Sequence, residues 1–142
     1  IVVKNKSHYL FYISVLLVLG LNIFVFIFFL LLGESAIMFL YGAKYVAILE
    51  YIYLLNVLSL FAGLSMLFGF PAAALKNEYS YVNNSSYITL VSYLLGLLLL
   101  NVISNISIEN LILNLIVAEF LTFSYRVYCF KKDKKSVSTR FL

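Results

Sequence analysis

The sequence predicts an all-α integral membrane protein with four transmembrane helices and a short interfacial helix. Three observations carry that prediction. Apolar residues make up 64% of the 142 residues and charged residues 11%, against roughly 45–50% and 25% in a soluble domain. So few charges cannot cover the surface of a water-soluble globule of this size. The apolar residues also gather into long runs interrupted by almost no charge. Finally, those runs lack the alternating ten-residue pattern of a transmembrane barrel. A net charge of only +4 on so apolar a chain excludes disorder, and Cys129 as the single cysteine excludes a disulfide scaffold.

The first run, Tyr9 to Leu32, holds no charge. A bilayer core about 30 Å thick needs about 20 apolar residues of helix, so this run spans it with room for tilt. It is too long for a secretory signal, and no small-residue cleavage site follows it. The sequence begins at Ile1 rather than methionine, from which the tail of a longer protein is expected.

Residues 33–49 follow, punctuated by Gly33 and Gly42 and mixing aromatics with Glu34 and Lys44. That stretch is too short to cross and suits a helix lying in the interface. The second span is expected over 51–75, between Glu50 and Lys76. The third charge-free run starts at Tyr79, but Asn83-Asn84-Ser85-Ser86 makes its beginning polar, so the span is placed over 87–106. The fourth covers 110–130 and contains Glu119 and Arg126. A basic tail, 131–142, closes the chain.

Orientation follows the basic residues. With four spans, both ends share one side with the Lys76–Glu78 turn. That side carries Lys4, Lys6, Lys76, Lys131, Lys132, Lys134, Lys135 and Arg140, whereas the other carries only Lys44. Both ends are therefore expected in the cytoplasm. Tail lysines near an anionic surface would each add about 1 kcal/mol of lipid attraction, making membrane lipids expected partners.

Nothing in the sequence points to catalysis. Paired carboxylates, a His/Cys metal set, a nucleophile elbow and a phosphate loop are all missing. His8 stands alone at the membrane edge, Cys129 reads as filler, and the Asn-x-Ser sequons fall at the cytoplasmic side or a membrane edge. No enzyme, metal, cofactor or nucleic-acid partner is expected.

Glu119 and Arg126 are the exceptions. A charge at membrane depth costs about 2.5–3.5 kcal/mol on insertion scales, so each should face the interior, a water-filled cavity or a partner. Seven positions apart, they lie on nearly one face, about 10 Å apart along the axis. Direct pairing is strained at that distance, and a water or a third residue is expected between them. Two readings of Arg126 stay open: it lines a polar path with Glu119, or it snorkels toward Lys131. Asn114 lies about 140° around the helix from Glu119 and need not share its face.

The second span carries small residues in two rows, Ser59 with Gly63 and Ser65 with Gly69. Such rows let helices approach closely. Gly69-Phe70-Pro71 should then kink the helix, because Pro71 lacks the N–H that would bond the Leu67 carbonyl. A broken helix either serves as a hinge in a transporter or is a plain packing kink. Asn56 and Asn101 are polar candidates for bonds between helices, and Phe24–Phe29 suits lipid.

These pieces resemble a known family. Phe-Leu-Tyr-Gly-Ala-Lys-Tyr (39–45) precedes a span rich in Leu, Ser and Gly. An Ala-Leu-Lys-Asn-Glu turn (74–78) follows, and a helix pair ends in Ile-Val-Ala-Glu-Phe (116–120) and a Tyr-Arg-Val-Tyr-Cys-Phe-Lys-Lys tail. The arrangement is similar to the C-terminal third of Wzx-type O-antigen flippases, polysaccharide transporters of the multidrug/oligosaccharidyl-lipid/polysaccharide exporter superfamily. There the pieces read Phe-Gly-x-x-Tyr/Phe, Leu-Gly-Lys-x-x and Ala-Glu-Leu. Glu119 falls on the Ala-Glu position and Lys76 on the turn, where this chain lacks the glycine. The family's Gly-Ala-Ala opening is replaced here by Asn110-Leu111-Ile112-Leu113-Asn114.

The resemblance implies part of a larger helical-bundle transporter in the bacterial inner membrane. Its substrate would be an undecaprenyl-pyrophosphate-linked oligosaccharide repeat unit for O-antigen or capsule synthesis, moved by alternating access. A polysaccharide polymerase complex is the implied protein partner, and Glu119, Arg126 and Lys76 are the substrate-path candidates. Two other functions compete: a multidrug or cation antiporter using Glu119, and a stand-alone four-helix accessory membrane protein.

Overall fold

The computed structural model describes the backbone of residues 2–76, 79–103 and 106–138, with side chains over 8–75, 79–103 and 106–132. The chain is an all-α membrane protein. Its helices are α1 (Val2–Tyr41), α2 (Leu49–Leu67), α3 (Phe70–Lys76), α4 (Ser80–Val102) and α5 (Ile108–Ser138), with a 3-10 segment at Ala43–Ile48. Among the described residues, four helical stretches are long and apolar enough to cross a membrane: His8–Tyr41, Ala43–Leu75, Ser80–Val102 and Ile108–Lys132. A helix is the expected form of such runs, because it satisfies its own backbone polar groups where no water can.

The boundaries differ from the sequence expectation at several points, two of them for a packing reason. The helix expected to end at 32 runs on to Tyr41. Gly33 does not break it, because its bare Cα is where the Leu49 side chain packs; a Cβ there would meet Leu49 Cδ2 at 2.6 Å. Gly42 makes the break instead, at φ 93 and ψ 163, a backbone region open essentially to glycine alone. Only Ala43–Ile48 of the expected interfacial stretch 33–49 is a separate element. There the Lys44 ammonium lies 4.9 Å from the centre of the Tyr45 ring.

The third helix starts at Ser80 rather than 87, so Asn83-Asn84-Ser85-Ser86 is helical. Of these four, Ser85 is fully buried and bonded across to α5, while Asn83, Asn84 and Ser86 are exposed; the same helix ends at Val102 rather than 106. The last helix extends to Ser138, taking in part of what was expected as a tail.

The helices pack side by side in the order α1, α2, α5, α4. α1 and α2 are antiparallel, with Val18 against Gly63, Asn22 bonded to Ser59, and Tyr53 bonded to the Phe29 carbonyl. α5 runs parallel to α2, with Phe61 against Phe120 and Phe68 against both Phe123 and Phe130. It runs antiparallel to α4, where Thr89 meets Thr122 and Tyr93 meets Asn114.

The two small-residue rows of α2 thus serve different neighbours. Ser59 and Gly63 face α1, while Ser65 and Gly69 face α5. Burial concentrates at the α3 end. Phe11, Ala72 and Phe130 form one cluster, and Ala73, Tyr81 and Val82 form another with Tyr125 and Cys129 against it.

Candidate functional site: a cavity around Arg126

The break predicted at Gly69 and Pro71 is present, and it creates the site. The last regular turn of α2 closes with the Phe68 N–H on the Leu64 carbonyl at 3.0 Å. The next N–H, of Gly69, bonds the Met66 carbonyl at 3.1 Å rather than the Ser65 carbonyl four residues back. This tightening from i→i+4 to i→i+3 leaves the Ser65 carbonyl without its helical donor. Pro71 offers no donor to the Leu67 carbonyl either. Two side chains from other helices meet this exposed backbone.

Arg126 of α5 supplies the first. Its Nη1 donates to the Ser65 carbonyl at 2.6 Å and to the Ser65 hydroxyl at 3.1 Å. Its Nε donates to the Ser85 hydroxyl of α4 at 2.7 Å, and Ser85 in turn donates to the Val82 carbonyl at 2.6 Å. The guanidinium therefore ties α2, α4 and α5 together. Glycine at 69 makes the approach possible, since a Cβ there would sit 3.0 Å from Nη1 and 3.1 Å from the Met66 carbonyl oxygen. Tyr81 supplies the second, its hydroxyl lying 3.2 Å from the Phe68 carbonyl oxygen and 3.3 Å from that of Gly69.

Of the two sequence readings of Arg126, the geometry favours the interior one. Its head group is directed at Ser65 and Ser85, not toward Lys131. Nε and Nη1 are committed to those partners, while Nη2 carries no bond to a described residue. A guanidinium has five donors in a fixed fork, so two remain for whatever enters.

Arg126 lines a cavity of about 260 Å³ together with Ser65, Gly69, Thr89, Glu119 and Thr122. Glu119 thus shares a cavity with Arg126, as their spacing predicts, without replacing the serines as its bonding partner. The Thr89 and Thr122 hydroxyls lie 2.5 Å apart across α4 and α5. Each is also within reach of a carbonyl four residues back, of Ser85 and Ala118 respectively.

Lys76 is the last residue of α3, and its side chain lies outside the described residues. Asn114 faces α4, as its angle from Glu119 allows, donating to the Tyr93 carbonyl at 3.1 Å and filling the notch left by Gly96. Asn101 is exposed, and Asn56 meets Ser59 only through its own carbonyl. Polar links between α1 and α2 are instead Ser59 to Asn22, at 2.7 Å, and Tyr53 to the Phe29 carbonyl, at 3.2 Å. Among the described residues, no group of three His, Cys, Asp or Glu side chains could hold a metal ion.

Sequence reasoning missed Tyr81, Ser85, Thr89 and Thr122. A signal existed for three of them. Tyr81, Ser85, Thr89 and Gly96 recur at helical spacing on one face of α4, but discounting 83–86 as a polar lead-in cut that stripe short. Compared with protein-family models, curated proteins and solved structures, the chain matches none of them.

Proposed function

We propose that the chain is part of a transporter for lipid-linked oligosaccharides in the bacterial inner membrane, similar to the Wzx-type flippases, with both ends cytoplasmic. The observation that supports this reading is the cavity around Arg126. It sets a cation with unengaged donors beside the hydroxyls of Ser65, Thr89 and Thr122 at membrane depth. A diphosphate-linked sugar needs both features, a guanidinium for the phosphate oxygens and hydroxyls for the sugar. Moving such a molecule between leaflets makes and breaks no covalent bond, so the role is carriage rather than catalysis. The break at Gly69 and Pro71 fits the same reading, since discontinuous helices border the substrate sites of many transporters.

Glu119 gives the antiporter reading its one specific support, because a carboxyl in the same cavity could carry a proton or cation. Complementation of a deletion strain separates the two. Surface polysaccharide restored by the wild-type gene but not by Arg126→Ala is the expected result. Unchanged polysaccharide with altered drug tolerance in the deletion strain would favour the antiporter instead.

A further inference from the structure

The Gly69 N–H has two carbonyls within one turn, those of Met66 and Ser65. It now bonds Met66 at 3.1 Å, while Arg126 Nη1 occupies the Ser65 carbonyl at 2.6 Å. Were the guanidinium drawn away, the Ser65 carbonyl would be a polar group at membrane depth without a donor, which is costly. The nearest remedy is local. The Gly69 N–H can leave Met66 for Ser65, converting an i→i+3 bond to i→i+4 and lengthening α2 by one residue. Glycine at 69 leaves the backbone free to make the change.

We propose that Arg126 is a latch on the α2–α3 break, released when an anionic oxygen of phosphate type engages the guanidinium. The inference rests on the reading of the cavity as an anion-accepting site and adds how occupancy is signalled. Nη2 is the point of entry, because Nε and Nη1 are already bonded to protein. A phosphate-type anion engages the fork through two oxygens, so one bound at Nη2 brings a second onto Nη1 in competition with the Ser65 carbonyl. The new α2 register then alters how α3 leaves the break. α3 carries Ala72 and Ala73, both fully buried, so its displacement is felt by Phe11 of α1 and Phe130 of α5 on one side and by Tyr81 of α4 on the other. A group bound at one arginine is thereby reported to all the long helices.

The test uses the full 142-residue chain in phosphatidylcholine nanodiscs, with inorganic pyrophosphate as the probe. The readouts are three NMR signals: the Arg126 side-chain Nε–H, the Gly69 amide and the Ser65 carbonyl carbon. Pyrophosphate is expected to shift all three with one saturation curve. In Arg126→Gln, Gly69 and Ser65 should sit at the shifted position without pyrophosphate and no longer respond to it. If that variant does not fold, Gly69→Ala substitutes for it, since its Cβ would lie 3.0 Å from Nη1 and crowd the bond to Ser65 while the charge remains. Its Ser65 carbonyl should move toward the shifted position without pyrophosphate and complete the shift at lower pyrophosphate than the wild type; a wild-type position and curve would count against the latch.

A response at Arg126 with Gly69 and Ser65 unmoved would overturn the latch and leave the anion site standing. No response at Arg126 would overturn the anion-site reading and the latch with it. Wild-type positions for both backbone signals in Arg126→Gln would also overturn the latch. A matching shift in discs containing phosphatidylglycerol, with no pyrophosphate, would assign the releasing oxygen to a lipid headgroup. A shift with pyrophosphate alone would assign it to a phosphate carried to the site.

Discussion

The Arg126 guanidinium donates to the Ser65 carbonyl at 2.6 Å, and Ser65 is the residue whose helical donor is diverted by the turn at Gly69. A charge that is expensive at membrane depth and a carbonyl that is expensive without a donor thus relieve each other. Neither would be stable in lipid alone. The pairing explains how a broken helix and a charged residue coexist within an otherwise apolar chain.

Removing Arg126 should therefore destabilise the fold as well as empty the cavity of its cation. Arg126→Ala is expected to lower stability by about 2 kcal/mol or more, since hydrogen bonds to charged groups contribute roughly 1.5–3 kcal/mol. Arg126→Lys should recover less than half of that. An ammonium is a point donor without the planar fork that reaches Ser65 and Ser85 together. Denaturant-induced unfolding of the purified protein in mixed micelles measures both. Equal stability of the lysine variant and the wild type would refute the bridging role.

The glycines should separate by surroundings. A Cβ on Gly20 meets nothing within 4 Å, whereas one on Gly96 would fall on the Asn114 amide. Gly20→Ala is expected to be neutral or stabilising by up to about 1 kcal/mol, the helix-propensity difference between the two residues. Gly96→Ala should displace Asn114, break its bond to the Tyr93 carbonyl and loosen α4 from α5. Thermal unfolding followed by circular dichroism should rank Gly96→Ala well below Gly20→Ala. The opposite ranking would contradict the packing of that seam.

Glu119 and Glu34 make a matched pair for function. Glu119 is half-buried and lines the cavity, while Glu34 is exposed near the end of α1. On the proposed transporter reading, Glu119→Gln is expected to reduce transport at least several-fold and Glu34→Gln to leave it near wild type. Surface polysaccharide in the complemented deletion strain, normalised to protein level, provides the comparison. Equal activity of the two variants would remove Glu119 from the path.

Much of this architecture was legible in the residues themselves. The spans follow from apolar length, and the break at Gly69 and Pro71 follows from the missing proline donor. The two rows on α2 were visible as small residues four apart, yet nothing in their spacing said that one row faces α1 and the other α5. Ser85 was hidden for a different reason. Serine and asparagine at the head of an apolar run look like a loop, and only the half-buried guanidinium opposite gives Ser85 its interior partner. Gly33 and Gly42 looked alike as breakers, but Leu49 packs on the first and only the second adopts a positive φ.

By itself the sequence determined that the chain is helical and apolar enough to cross a membrane four times, with scarce charges confined to a few positions. Length, hydropathy and the chemistry of proline are local properties, and they need no partner to act. Only the tertiary structure decided where Arg126 points, because snorkelling and inward bonding use the same residue at the same depth. Its direction was settled by a carbonyl 61 positions away, left open by a glycine turn on another helix. A contact of that kind arises from helix packing, which no local pattern in the chain records.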